Sequence, residues 1–243
     1  MASDGALWGA LLEKSLAKYL GNYEAIDAGS GAHGVEAMTG APYLTLTHKK
    51  LIESGEGETL WDELVSQSEI GNMITSGSYT GTGNDQDSNE DGLPFNHAFS
   101  IMHVLTVVDD EDNEHRLVCM RNPWGSERWQ GDWSDLSGRW TDSLRKQADH
   151  TRVNDGKFYM SFEDYLDQLE YTDFNIDVSN LQYASFALFG DDEPLNPTEV
   201  FGDGVIYNVH KMILQSPIDQ KVIVSGHSYH SKHYHAKCGD MLF

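Results

Sequence analysis

Cysteine is scarce: Cys119 and Cys238 are the only two in 243 residues. That is too few for a disulfide framework and is the usage expected of a reducing compartment, so the chain reads as cytoplasmic. Basic residues are scarce as well. Lys and Arg total 16 against 39 Asp and Glu, a formal charge of -23, and such a surface repels phosphate backbones and anionic membranes. Nucleic acid is thereby excluded as a partner class. The same balance is compatible with bound cations, although its plainer reading is a soluble chain that charge keeps apart from its neighbours. Long apolar runs are missing too: the longest, Ile101 to Val108, is interrupted by His103 and falls short of the roughly 20 residues that a membrane helix needs. No basic stretch precedes the apolar residues of Met1 to Leu20, so no signal peptide is expected. There is no internal repeat of useful length, and the length suits one large domain or two small ones.

The residues that are present fall into patterns. Leu7, Trp8, Leu11, Leu12, Leu16, Tyr19 and Leu20 recur at helical spacing, with Ser3 or Asp4 available as a cap and Gly21 as a stop, which predicts a core-facing helix. A glycine-rich passage follows from Ala28 to Gly40, then a shorter helix from Leu60 to Ile70 with Asp62 and Glu63 early in it. From Ser76 to Gly92 the small polar turn-formers dominate, predicting a long mobile loop beside which function is often found. His97 to Val108 and His115 to Asn122 are rich in aliphatic residues and flank the polar Asp109 to Glu114, the pattern of an antiparallel hairpin. Ser161 to Glu170 places Phe162, Tyr165, Leu166 and Leu169 on one face behind a capping Ser161, predicting a helix. From Phe174 onward strands are expected, notably Val205 to Leu214 and Lys221 to Ser225 around the turn at Ser216-Pro217-Ile218-Asp219.

The hairpin has a chemical consequence. His97 opens its first strand and Asn122 closes its second, so folding back at the turn makes them neighbours at the open end. A cysteine protease needs that pairing: one imidazole nitrogen faces a thiol while the other donates to an acceptor that fixes tautomer and tilt, and an Asn side-chain oxygen serves. The small Ala98 would leave room beside the ring. Alone, a His before an apolar strand is more often structural than catalytic, and Asn-Pro is a turn signal.

The neighbouring words carry more. Asn96-His97-Ala98-Phe99-Ser100 and Arg121-Asn122-Pro123-Trp124-Gly125 are followed by Trp129, Gly131, Trp133, Asp135 and Trp140. Together with Leu7-Trp8-Gly9-Ala10-Leu11-Leu12-Glu13-Lys14, Tyr23-Glu24-Ala25, Thr39-Gly40 and Phe158-Tyr159-Met160-Ser161-Phe162, they resemble the second half of the calpain catalytic core, over roughly residues 4 to 170. The resemblance implies a papain-like site split between a helical lobe bearing Cys and a β-rich lobe bearing His and Asn. It implies His97 as base and acid, Asn122 as its orienter, and Trp124 as a shield that keeps water from their hydrogen bond.

Neither cysteine suits the role of nucleophile. Cys119 lies three residues before Asn122, about 10 Å along a strand and on its opposite face. Cys238 lies beyond the resembling region, without the helix N-terminus that lowers a catalytic thiol's pKa. The family's Cys belongs to the preceding lobe, so the chain alone is expected to show no peptidase turnover.

The resemblance also implies a calcium loop in this lobe, with ligands just before Trp129, at Asp135, and before Phe158. Here the first position is Arg128 and the last acidic one is Lys157, leaving Asp135, Asp155 and the Val153 carbonyl. Calcium takes six to eight oxygens, so this site is expected to be weakened or lost, with Arg128 and Lys157 pairing to Asp135 and Asp155 instead. Asp87-Ser88-Asn89-Glu90-Asp91-Gly92 matches the opening of a calcium loop, but the bidentate Glu position is Ala98, and a solvated loop is the better reading. His227, His230, His233, His235 and Cys238 are soft ligands at a spacing that fits no standard zinc site.

The expected fold is therefore α+β, a papain-like cysteine protease β-rich lobe with flanking helices over residues 1–176. A strand-rich segment follows over 177–243, weakly resembling the start of a β-sandwich. The expected function is calpain-like endopeptidase action on protein or peptide substrates once a Cys-bearing lobe is present. The rivals are a catalytically inactive calpain-like binding or scaffold module and a calcium-sensing module.

Overall fold

The strand Glu114–Arg121 is apolar on both faces, Leu117 and Cys119 on one and Val118 and Met120 on the other, a pattern that a sheet accommodates when both sides are covered. The structure, a computed structural model, describes residues 5–81 and 87–177 and the backbone of 199–201 and 204–206. In chain order it forms helix α1 (Trp8–Leu20), a 3-10 turn (Glu24–Ile26), α2 (Gly31–Thr39), β1 (Tyr43–Thr47), α3 (His48–Ser54), α4 (Gly57–Glu69), β2 (Met73–Ser78), β3 (Ala98–Val108), β4 (Glu114–Arg121), α5 (Asp142–Ala148), β5 (Lys157–Ser161), α6 (Phe162–Gln168) and β6 (Leu169–Asn175). The six strands make one antiparallel sheet in the order β1-β6-β2-β3-β4-β5. One core packs Leu60 and Leu64 of α4 and Phe162 and Tyr165 of α6 on Phe99, Val118, Met120 and Phe158. The second, on the other face, gathers Val107, Leu117 and Cys119 with Trp133, Trp140, Leu144 and Tyr159. The fold is α+β, as expected.

The predicted hairpin is β3 and β4, paired from Val108 against Glu114 to Ser100 against Arg121. Asp109 builds its turn by accepting from the backbone N–H groups of Glu111 and Asn113 and from the His115 ring. The Asn113 side-chain amide, which also donates to both carboxylate oxygens, and then those donors hold the Asp109 carboxyl well below the usual carboxylate range.

Several elements differ from expectation. α1 ends at Gly21 as predicted, but it is not core-facing: Leu7, Trp8, Leu11, Leu12 and Tyr19 are all exposed, Trp8 at 68%. Periodicity reports that a face is apolar, not what covers it. Ser3 and Asp4 lie outside the described residues. The glycine-rich passage contains α2, because Ser30 caps it through Ala32 N–H at 3.1 Å and Gly31 lets it meet the sheet. A Cβ on Gly31 would lie 2.9 Å from Thr75 Oγ1, so close packing overrides the poor helix propensity. The helix predicted to begin at Leu60 begins at Gly57, which puts Glu58 rather than Asp62 and Glu63 in its first turn. The loop predicted from Ser76 begins after Ser78, since Ser76 and Gly77 pair with Phe99 and Ala98. The last predicted helix stops at Gln168, and Leu169 and Glu170 start β6. Ser161 caps it through Asp164 N–H at 3.0 Å. Towards the C-terminus, β7 (Glu199–Phe201) and β8 (Gly204–Ile206) form a two-stranded antiparallel pair. Apart from residues 205 and 206, the strands predicted over 205–214 and 221–225 lie outside the described residues, as do the His-rich cluster and Cys238.

His48, fully buried, ties α3 to the sheet through a 2.7 Å hydrogen bond to Thr172 Oγ1. Thr172 in turn meets Tyr165 Oη at 2.5 Å. Burial lowers the His48 pKa from 6.5 to about 4, so the ring folds neutral while the unfolded chain binds its proton more readily. Stability from this residue is complete above pH 6.5 and declines as the pH falls towards 4, by about 3 kcal/mol at most. Urea unfolding between pH 7 and 4 is expected to show a steeper loss for the wild type than for His48→Gln. Parallel curves would refute the assignment.

Candidate active site

Two turns bring the site together. Asn96 adopts φ 51°, a left-handed conformation that Asn tolerates better than most residues, and this turn delivers His97 to the start of β3. Ser78 fixes the His97 backbone on both sides: Ser78 N–H donates to the His97 carbonyl at 2.9 Å, and His97 N–H donates to Ser78 Oγ at 3.0 Å. At the end of β4, Asn122 N–H donates to the Gly156 carbonyl at 2.8 Å and Gly125 N–H closes a turn on the Asn122 carbonyl at 3.0 Å.

His97 Nε2–H donates to Asn122 Oδ1 at 2.9 Å. The amide's orientation follows from its other partners: Trp124 N–H donates to the same Oδ1 at 3.0 Å, and Nδ2 donates to the Ser126 carbonyl at 3.0 Å. An oxygen facing Nε2 only accepts, so Nε2 carries the proton and Nδ1 presents a lone pair. Asn122 is fully buried and His97 is 8% exposed. Phe99 meets the imidazole edge-on at 4.9 Å, and Trp124 tilts over it at 4.3 Å. Trp124 itself is 38% exposed, with the Arg128 guanidinium 5.6 Å from its ring. A nearly dry histidine held in one tautomer by a neutral acceptor can take a proton at Nδ1 and return it.

The structure thus brings His97, Asn122 and Trp124 together and leaves Cys119 apart, buried in the other core. Burial pushes the Cys119 thiol up to about 11, far from the range in which a thiolate is available near neutral pH. Sequence reasoning missed Phe99, although strand alternation puts it on the face of His97. It also missed Ser78, Ser126 and Gly156, for which the sequence carries no signal. The segment Asp87–Gly92 is organised by Asn89, whose Oδ1 accepts from Asp91 and Leu93 N–H. That makes its carboxamide the pin of a turn.

The residues suggested for calcium do not form a shell. Asp135 Oδ1 accepts from His150 Nε2 at 3.0 Å, with both side chains buried. Asp155 Oδ1 accepts from Lys157 N–H at 2.9 Å and Oδ2 lies 3.9 Å from the Lys157 ammonium. The Val153 carbonyl accepts from Asp155 N–H at 2.8 Å. The expected Arg128–Asp135 pair is corrected, because Arg128 stacks on Trp124 and Asp135 turns inward to His150. The cavity bounded by Asp135, His150, Asp155, Lys157 and Tyr159 measures about 10 Å³, close to the threshold for one water. A cation seeking six to eight oxygens does not fit.

The family model for calpain family cysteine proteases matches residues 1–176, and the chain belongs to that family. Calpain clp-4 of Caenorhabditis elegans is 35% identical over 176 residues, covering 68% of this chain and 23% of that protein. Human calpain-9 is 34% identical over 167 residues, covering 68% and 24%. The calpain-type cysteine protease DEK1 of Arabidopsis thaliana is 32% identical over 164 residues, covering 65% and 7%. The chain therefore spans less than a quarter of each of these relatives. The SERA5 proenzyme of Plasmodium falciparum superposes with a TM-score of 0.32 at 13% identity, over 56% of this chain and 31% of that one, a likeness too slight to bear on the fold.

Gly156 packs closely against the Asn122 turn. It has φ +89°, and a Cβ there would lie 2.8 Å from the Asn122 carbonyl oxygen and 2.9 Å from Gly125 Cα. Gly156→Ala is expected to cost about 1–3 kcal/mol, read as a lower urea midpoint at unchanged slope. A wild-type midpoint would show that the Asn122 turn does not rest on Gly156.

Proposed function

We propose that this chain supplies the base and the orienting amide of a calpain-type cysteine endopeptidase, whose nucleophilic Cys and oxyanion-hole donor come from a second lobe. The observation that carries the reading is the buried 2.9 Å hydrogen bond from His97 Nε2 to Asn122 Oδ1. With Nε2 committed, Nδ1 is the nitrogen that takes the thiol proton. The thiolate attacks the carbonyl carbon of a peptide bond and a tetrahedral oxyanion forms. As the C–N bond breaks, the imidazolium returns its proton to the departing amine and a thioester remains. Water then loses a proton to Nδ1 and attacks the thioester, and collapse releases the acid and restores the thiol. The ring gains and loses a proton twice in each cycle while its tilt is kept by an acceptor that never ionises. Phe99 and Trp124 exclude water from the bond, which strengthens it.

The exposed stripe of α1 supports the second lobe. Leu7, Trp8, Leu11 and Leu12 form an apolar face of the kind that a partner surface covers, and the relatives extend far beyond the matched part. Substrates are proteins or peptides. Among the described residues no helix is long and apolar enough to cross a membrane.

Complementation tests the proposal. The purified chain alone is expected to leave casein intact, and the chain mixed with or fused to the Cys-bearing lobe of a calpain relative is expected to cleave it. His97→Ala should then lower the rate by roughly 10²–10⁴-fold. Cleavage by the chain alone, abolished by Cys119→Ser or Cys238→Ser, would overturn the division of labour. A complex that forms and binds peptides without cleaving them would favour the inactive binding module instead.

A further inference from the structure

Asp135 sits in a loop whose position the active site depends on. Asp135 N–H donates to Glu127 Oε1 at 2.9 Å, and Glu127 N–H donates to Asn154 Oδ1 at 2.6 Å. The neighbouring Ser126 carbonyl receives the Asn122 amide, and Arg128 covers Trp124. Whatever anchors Asp135 therefore helps to hold the orienting amide and the indole shield. In the family resemblance that anchor is a cation.

In this chain the carboxylate has an internal anchor. Thr141 caps α5 and Asp149 turns the chain with φ 49°, so His150 N–H donates back to the Arg145 carbonyl at 2.9 Å. The two side chains then stand in line. Arg145 Nη1–H donates to His150 Nδ1 at 2.7 Å and His150 Nε2–H donates to Asp135 Oδ1 at 3.0 Å, while Arg145 Nη2 reaches the Asp135 carbonyl at 3.3 Å. Trp140 stacks on the imidazole at 4.3 Å with 29° between the planes and also lies under the guanidinium at 5.4 Å. The side chains of His150 and Asp135 are 2% and 6% exposed. A buried carboxylate without a partner is strongly unfavourable; here an imidazole fills that place, with a guanidinium behind it.

We propose that the Arg145–His150–Asp135 relay replaces the calcium ion of this lobe, so that the 122–135 segment is held in its working shape without a metal. The permanent charge comes from Arg145, and His150 passes it to a carboxylate that the guanidinium does not itself touch. Lys157, which lines the small residual cavity and lies 3.9 Å from Asp155 Oδ2, adds a second positive charge beside it. His150 and Arg145 act as positioning residues through Asp135 and Glu127. The inference rests on the calpain-type reading for its expectation of a cation here, but its test does not involve peptide hydrolysis.

Calorimetry and thermal melting of the whole chain, in chelator and in millimolar calcium or magnesium, decide it. The expected result is no binding heat and no shift in melting temperature with calcium. His150→Ala should lower the melting temperature by on the order of 5–10 °C. His150→Gln, which keeps an amide N–H near the Nε2 position, should recover part of that loss. In His150→Gln the amides of Trp124 and Asp135 should exchange hydrogen faster than in the wild type, while those of β2 and β3 stay protected. A calcium-induced rise in melting temperature, with a binding heat that Asp135→Ala removes, would overturn the inference and leave the protease reading intact. A His150→Ala chain that melts like the wild type would also overturn it. If that variant does not fold, the calcium titration of the wild type decides alone. A failed complementation with casein would sink the protease reading and leave these measurements unaffected.

Discussion

The Asn122 carboxamide is fixed between His97 Nε2–H, Trp124 N–H and the Ser126 carbonyl, and the chemistry of the open hairpin end follows from that one orientation. Turned over, the amide would face two N–H donors with an NH2 group and present its oxygen to a carbonyl, leaving buried groups unsatisfied at about 1–3 kcal/mol each. Its orientation sets the tautomer of His97, and the tautomer decides which ring nitrogen exchanges protons. The sheet brings the two residues close; the turn at Asn122-Pro123-Trp124-Gly125, closed against Gly156, aligns them.

How much of this was legible in the sequence depended on the range over which each signal acts. The hairpin was legible because the alternation of β3 and β4 is local and Asp109 writes its own turn. His97 facing Asn122 followed from strand length alone. α2, β1 and α3 were not legible, since each is short and is held by distant groups: Gly31 against Thr75, β1 against β6, His48 against Thr172. The partner of Asp135 was missed for a related reason. His150 and Arg145 are brought to it by a helix cap and a left-handed residue, and charge pairing read along the sequence favoured Arg128, which the fold sends to an aromatic face instead.

The two faces of the sheet divide the work. The face carrying Phe99, Met120 and Phe158 continues the line of His97 and Asn122, so packing there governs the distance between them. The other face collects Trp133, Trp140 and Tyr159 around Cys119, and their bulk supports α5 and the end from which His150 reaches Asp135. Cys119 contributes to this second face as a small apolar side chain.

The apolar stripe of α1 has a colloidal consequence. A chain carrying a formal charge of -23 repels its own copies at low ionic strength, and this repulsion opposes contact between exposed indole and leucine surfaces. Added salt shortens the reach of that repulsion to about 10 Å at 0.1 M while leaving the attraction between apolar faces in place. Salt concentration therefore sets the balance between dispersed and clustered chains whenever the stripe is uncovered, and seating a partner on α1 removes that dependence.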